Sequence, residues 1–143
     1  MKSELLAGLQ VRACATEVRA EPTRFWLRCT AELPGDPLLH AAVLAYTSDL
    51  STGLVALEDD KTEAGPSLDH AIWFHRPARM DDWMWHELEP HAVSGGRGWY
   101  TGAVYAADGS RVASFAQEQL FRTRQPTVGR FPVGPESSFG TSG

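Results

Sequence analysis

Long apolar runs, lysines and cysteines are all scarce in this 143-residue chain, and each shortage excludes something. No run approaches the roughly 20 apolar residues that a membrane-crossing helix requires. The stretch from Met1 to Gln10, with Lys2, Glu4 and only a short apolar segment, does not read as a secretion signal. Lys2 and Lys61 are the only lysines among 13 basic residues, the basic side chains do not cluster, and 18 acidic residues leave a net charge of −5. A nucleic-acid module normally carries a basic patch or stripe, so that class is excluded. The two cysteines, Cys14 and Cys29, have no CxxC pairing and no His at ligand spacing, which excludes a four-ligand structural zinc site. Two free, half-buried thiols in a cytoplasmic protein are the expectation. Also missing are a GxSxG elbow, a Walker A loop and a GxGxxG turn; Ser94-Gly95-Gly96-Arg97-Gly98 matches none of them in spacing or context.

What is present is a core. Apolar residues make up 43% of the chain, with five Trp, three Tyr and six Phe, while charged residues make up only 22%. That composition does not fit disorder throughout, and the length fits one domain. Residues 125–143, rich in Pro, Gly, Ser and Thr and without periodicity, read as a disordered tail. Residues 1–20 read as an N-terminal extension, in which Leu9, Val11 and Ala13 alternate as a short strand would before Glu21-Pro22 breaks the pattern. The folded domain is expected over 21–124.

Within it, Phe25 to Ala31 predicts a strand closed by Pro34-Gly35. Asp36-Pro37 predicts a helix start, because Asp caps free N–H groups and Pro fits the first helical position. A helix over Leu38 to Leu50 follows, apolar nearly all round, with Leu39, Val43, Tyr46 and Leu50 on one stripe; such a helix is expected to be buried. Glu58 to Pro66 reads as a loop. Four strands then follow: Ser67 to His75, Trp83 to Val93 interrupted by Pro90, Trp99 to Ala106, and Val112 to Arg122, with Asp108-Gly109 a hairpin signal before the last. One buried helix before consecutive antiparallel strands is an α+β layout, most simply a sheet wrapped around a central helix.

A few polar residues sit where burial makes them costly. Asp49 ends the apolar helix at the end where the dipole disfavours a negative charge, so it is either solvated at a frayed terminus or placed for a purpose. Asp69 and His70 are strand neighbours facing opposite sides, so adjacency alone does not make them a dyad. His70 and His75 read most simply as half-buried residues with satisfied rings. Gln117 shares a strand face with Ala113, Phe115 and Phe121, where an unpartnered amide costs a kcal/mol or more. An amide both donates and accepts, as holding a water requires.

The stretch Ser67-Leu68-Asp69-His70-Ala71-Ile72-Trp73-Phe74-His75-Arg76-Pro77 closely resembles the C-terminal half of the acyl-CoA thioesterase II family. Arg24-Phe25-Trp26-Leu27-Arg28 resembles that family's opening strand and Ala45-Tyr46-Thr47-Ser48-Asp49-Leu50 the end of its central helix. Asp81-Asp82-Trp83, Gly96-Arg97-Gly98 and Val112-Ala113-Ser114-Phe115-Ala116-Gln117-Glu118 agree in order and spacing, so the match runs from Arg24 to Arg122. The resemblance implies a single hotdog fold, a long helix enclosed by a curved antiparallel sheet. It also implies hydrolysis of acyl-CoA thioesters by a water held and activated by an Asp, a Ser or Thr, and a Gln. Carried over by motif these are Asp49, Ser67 and Gln117, while Asp69 and His70 remain structural. No metal or organic cofactor is required by that chemistry.

Two departures stand out. Gln119 follows Gln117-Glu118 where the family usually has Gly, and its bulk is expected to alter the site. Moreover, family members are normally two hotdog halves in one chain, and the Gly-Gly-Gln motif of the first half is absent here. The resemblance therefore implies an acyl-CoA substrate and either a homodimer or a partner hotdog half. A non-hydrolytic hotdog subunit is the alternative, and a dehydratase or isomerase using His70 or His75 as base near Asp49 a third reading.

Overall fold

The computed structural model describes residues 8–14 and 22–124. The tail expected over 125–143 and most of the extension expected over 1–20 lie outside the described residues. The elements are β1 (Leu9–Ala13), β2 (Arg24–Cys29), α1 (Pro37–Ser48), a 3-10 helix (Gly53–Leu57), β3 (Thr62–Ser67), β4 (Ala71–Phe74), β5 (Met84–Ser94), β6 (Arg97–Tyr105) and β7 (Arg111–Thr123). The strands form one antiparallel sheet in the order β1-β2-β5-β6-β7-β3, with β4 also on β7. It curls as a half-barrel around α1, the hotdog arrangement implied above. Among the described residues no helix is long and apolar enough to cross a membrane.

Local chemistry explains the boundaries. Asp36 Oδ1 accepts from the Leu38 N–H at 2.9 Å and Pro37 occupies the first turn of α1. The β5–β6 turn needs two residues at positive φ, and Gly95 (60°) and Gly96 (76°) supply them. At the β6–β7 turn, Gly109 (φ 84°) donates to Ala106 O while Asp108 Oδ1 accepts from the Ser110 N–H, as Asp108-Gly109 predicts. β5 carries a register shift between Pro90 and Ala92, where Pro90 brings no N–H to the ladder.

Three expectations need correction. The buried stripe of α1 is His40, Leu44, Thr47 and Ser48 rather than Leu39, Val43, Tyr46 and Leu50. Leu38 and Tyr46 are exposed (79% and 54%), because a single curled sheet covers only one side of the helix. The stretch expected as a loop contains β3, which pairs with β7 from Thr62 to Ser67 despite Gly65 and Pro66. β3 is an edge strand with a register shift between Ala64 and Ser67, and a proline is tolerated at such a place. Finally, the strand expected over Ser67 to His75 is two strands, broken at 68–70.

β3 and β4 lie end to end along the side of β7 away from β6, so the sheet ends on them. Alternation along β7 points Ala113, Phe115, Gln117, Gln119 and Phe121 inward, toward Leu44 of the helix and Tyr100 and Val104 of β6. Two polar side chains thus enter an otherwise apolar row beside the C-terminal end of α1.

Candidate functional site

Gln117 is 1% exposed and lies opposite Tyr100 across the β6–β7 ladder. Its Nε2 donates to Ser67 Oγ at 2.5 Å. Ser67 closes β3 and stays exposed, and the chain is then pinned to β7 by two contacts. The Leu68 N–H donates to Glu118 O, and Asp69 Oδ1 accepts from the Glu118 N–H, both at 2.8 Å. Asp69 thereby ties this corner to β7. The same corner turns His70 inward, on the face shared with Ile72, its ring 5.5 Å from that of Phe115.

His70 is the residue that sequence reasoning set aside and the fold brings to the centre. Its Nδ1 is hydrogen-bonded to Gln117 Oε1, and its Nε2 is 2.8 Å from Ser48 Oγ, in the last turn of α1. Asp49 caps that helix, its carboxylate half-exposed, with Oδ1 3.9 Å from His70 Nδ1. Ser67 and Gln117 therefore meet directly, while Asp49 joins them through His70. The signal for His70 was its period-2 relation to the core residue Ile72; the signal for Ser48 was its four-residue spacing from Leu44.

Gln119, the bulky departure, belongs to the same cluster. Thr52 donates its hydroxyl to Gln119 Oε1, and Gln119 Nε2 lies 3.4 Å from Ser67 Oγ. The Ser67 oxygen thus faces two amide groups. Tyr100, fully buried, donates to Ser51 O at 3.3 Å; burial first, and the neighbouring Asp49 carboxylate second, push its phenol well above its ordinary range. It remains a donor at any physiological pH. His75 lies apart, exposed, with Nε2 2.9 Å from Ser114 Oγ. Cys14 is exposed and Cys29 half-buried, both free. Among the described residues, no group of three or more His, Cys, Asp or Glu is placed to hold a metal ion.

Two surface concavities lie elsewhere. One, of about 370 Å³, is lined by Trp26, Trp85 and Tyr105 on the outer face of the sheet; the other, of about 350 Å³, lies beside Arg28, Arg79 and Asp81. The polar cluster itself is an open arrangement at the sheet edge. A solvent-facing carboxylate linked through His70 to a hydroxyl held by amides can position a small polar nucleophile and take its proton.

Comparison with known proteins agrees with this architecture. Residues 7–121 match the family model described as the acyl-CoA thioesterase C-terminal domain. The chain is 35% identical over 103 residues to acyl-CoA thioesterase 2 of Haemophilus influenzae, covering 68% of this chain and 36% of that protein. It is 38% identical over 112 residues to human acyl-coenzyme A thioesterase 8, covering 74% of this chain and 35% of the relative. Among solved structures, acyl-CoA thioesterase II TesB2 from Mycobacterium marinum superposes with a TM-score of 0.69 at 30% identity, over 86% of this chain and 51% of that one. The chain spans about a third of the curated relatives it matches and half of that solved structure. With a family model matched over most of its length and the polar cluster framed by the matched segments, this chain belongs to the acyl-CoA thioesterase C-terminal domain family.

Proposed function

We propose that the chain hydrolyses acyl-CoA thioesters in the cytoplasm to free acid and CoA, through a water activated by Asp49 and oriented by Ser67 and Gln117. The observation that carries this reading is the convergence of α1, β3 and β7, which brings a half-exposed carboxylate to the edge of a Ser67–Gln117 pair joined at 2.5 Å. A thioester carbonyl is electrophilic enough for a positioned water once a base removes its proton as the bond forms. Asp49 is that base, because it is the carboxylate at the cluster and still faces solvent. Ser67 holds the water, and the buried Gln117 acts by fixing Ser67, which supplies the proximity and orientation component of the rate. Charge developing on the carbonyl oxygen is met by a backbone N–H near the end of α1 or by the second Gln117 N–H.

The site is open on the β3–β4 side, so the acyl chain is enclosed by a second hotdog half, either another copy of this chain or a partner. One feature supports this: the free edge of β4 exposes Trp73 (54%) and Phe74 (49%). The alternative is a non-hydrolytic subunit needing a distinct first half. The dehydratase or isomerase reading fares worse. His70 does approach Asp49, but Gln117 and Ser48 engage its two ring nitrogens, which leaves neither for a substrate proton.

The test is release of free thiol from medium- or long-chain acyl-CoA by the full chain. Asp49→Ala should remove at least about a hundredfold of the rate. A wild-type rate no higher than that of Asp49→Ala would sink the hydrolytic reading and leave the binding subunit.

A further inference from the structure

We infer that His70 is a positioning residue: as an Nδ1–H donor it locks the Gln117 amide in one orientation, which forces the Ser67 hydroxyl to donate into the open site. This rests on the hydrolytic reading above, and deepens it by assigning the direction of each proton.

The direction follows from one irreversible donor. The Leu54 backbone N–H donates to Thr52 Oγ1 at 3.1 Å, so Thr52 directs its own proton to another acceptor, and Gln119 Oε1 lies within hydrogen-bond reach of it. Gln119 then presents its NH₂ to Ser67 Oγ at 3.4 Å. Gln117 presents its NH₂ to the same oxygen at 2.5 Å, and its Oε1 accepts from His70 Nδ1. An oxygen that faces two amide donors has its proton left over, and on exposed Ser67 that proton points outward.

His70 is the one partner that makes this orientation of Gln117 unique. A glutamine amide has nearly the same shape after a half-turn, so without a donor at Oε1 it flips readily. Its oxygen would then face Ser67 and capture the hydroxyl proton. Gln117 Oε1 and Asp49 Oδ1 both lie on the Nδ1 side of the ring, and two acceptors there favour hydrogen on Nδ1. If Ser48 donates to His70 Nε2, the ring is neutral with its proton on Nδ1. If Ser48 donates instead to Ala45 O, 2.7 Å away, its oxygen accepts from Nε2–H, and the acceptors on the other side of the ring decide whether Nδ1 carries hydrogen as well. The Asp49 carboxylate, 3.9 Å from Nδ1, favours an N–H there and would repel a bare lone pair. The tautomer of a histidine is set in this way by what its nitrogens face.

Two measurements on the full chain test the assignment. Imidazole ¹⁵N–¹H spectra, with the His70 signal identified by its loss in His70→Leu, should show Nδ1 protonated at pH 8. A bare Nδ1 in the wild type overturns the inference, and that result does not depend on hydrolysis. In the thiol-release assay, His70→Leu should lower kcat by about 10- to 100-fold with KM within about threefold. His70→Asn, which returns an N–H near the Nδ1 position, should recover most of that loss. Equal kcat in wild type and His70→Leu, or equal damage from Leu and Asn, counts against it. If the Leu variant does not fold, the wild-type spectrum, with His70 assigned through His70→Asn, still decides. A wild type without activity but with Nδ1 protonated sinks the hydrolytic reading alone.

Discussion

His86 lies on β5 in the middle of the core, 1% exposed, its ring stacked on Phe25 at 5.0 Å between centroids. Neither ring nitrogen has a hydrogen-bond partner in good geometry among the described residues. Burial therefore penalises the imidazolium and lowers the pKa from the ordinary 6.5 to about 4, against a weaker opposing influence from the Met84 backbone. The folded state stays neutral at His86 between pH 6.5 and 4, while the unfolded chain takes up a proton there. The unfolded state binds more protons in that window, so stability is greatest above pH 6.5 and declines as the pH falls toward 4. At about 1.4 kcal/mol per pH unit, the gap amounts to roughly 3 kcal/mol, a large share of a typical domain's stability. Urea denaturation at half-unit steps from pH 7.5 to 4 measures it. Other histidines and carboxylates titrate in the same range, so the informative quantity is the difference between wild type and His86→Leu, which fills similar space without a titrating group. The wild-type curve should fall by about 3 kcal/mol more than the variant's. Parallel curves would refute the reasoning, because they would mean that His86 is protonated as readily folded as unfolded.

Gly102 faces Phe115 across the β6–β7 ladder, and a Cβ there would lie 2.0 Å from Phe115 Cζ. Gly102→Ala should cost about 1–3 kcal/mol or more in chemical denaturation, and should lower hydrolysis as well because Phe115 backs the His70 ring; an unchanged midpoint would contradict the packing. If a second copy covers the β4 edge, the wild-type chain should have a dimer's solution mass, and Trp73→Lys should shift it toward the monomer with little change in unfolding midpoint. A wild-type monomer, or a Trp73→Lys dimer, would place the second hotdog half elsewhere.

Several features of this domain are dictated locally and were legible without coordinates. Asp36-Pro37 starts α1 because both act on the backbone within one turn. Asp108-Gly109 makes its turn because the Asp carboxylate and the positive φ of Gly109 need no distant partner. Alternation along β7 puts Gln117 inside because strand geometry allows nothing else. The motifs around Asp49, Ser67 and Gln117 pointed to residues that do lie at one end of α1, though nothing local says how they meet.

What the tertiary structure alone decided is pairing. Whether Thr62–Ser67 is a strand depends on β7 offering its free side, which outweighs the turn propensity of Gly65 and Pro66. Which stripe of α1 is buried depends on the side from which one sheet curls, and composition cannot single out one face of a helix that is apolar nearly all round. His70 read as an isolated half-buried histidine, since its partners Ser48 and Gln117 lie 22 and 47 residues away. Gln119 read as an obstruction, and Thr52 was not singled out at all, until the loop after α1 met β7. Hydrogen bonds are directional and reach about 3 Å, so their partners are set by how the chain folds back on itself. Sequence determined which residues are polar and which way each local segment faces; the fold determined which of them share a proton.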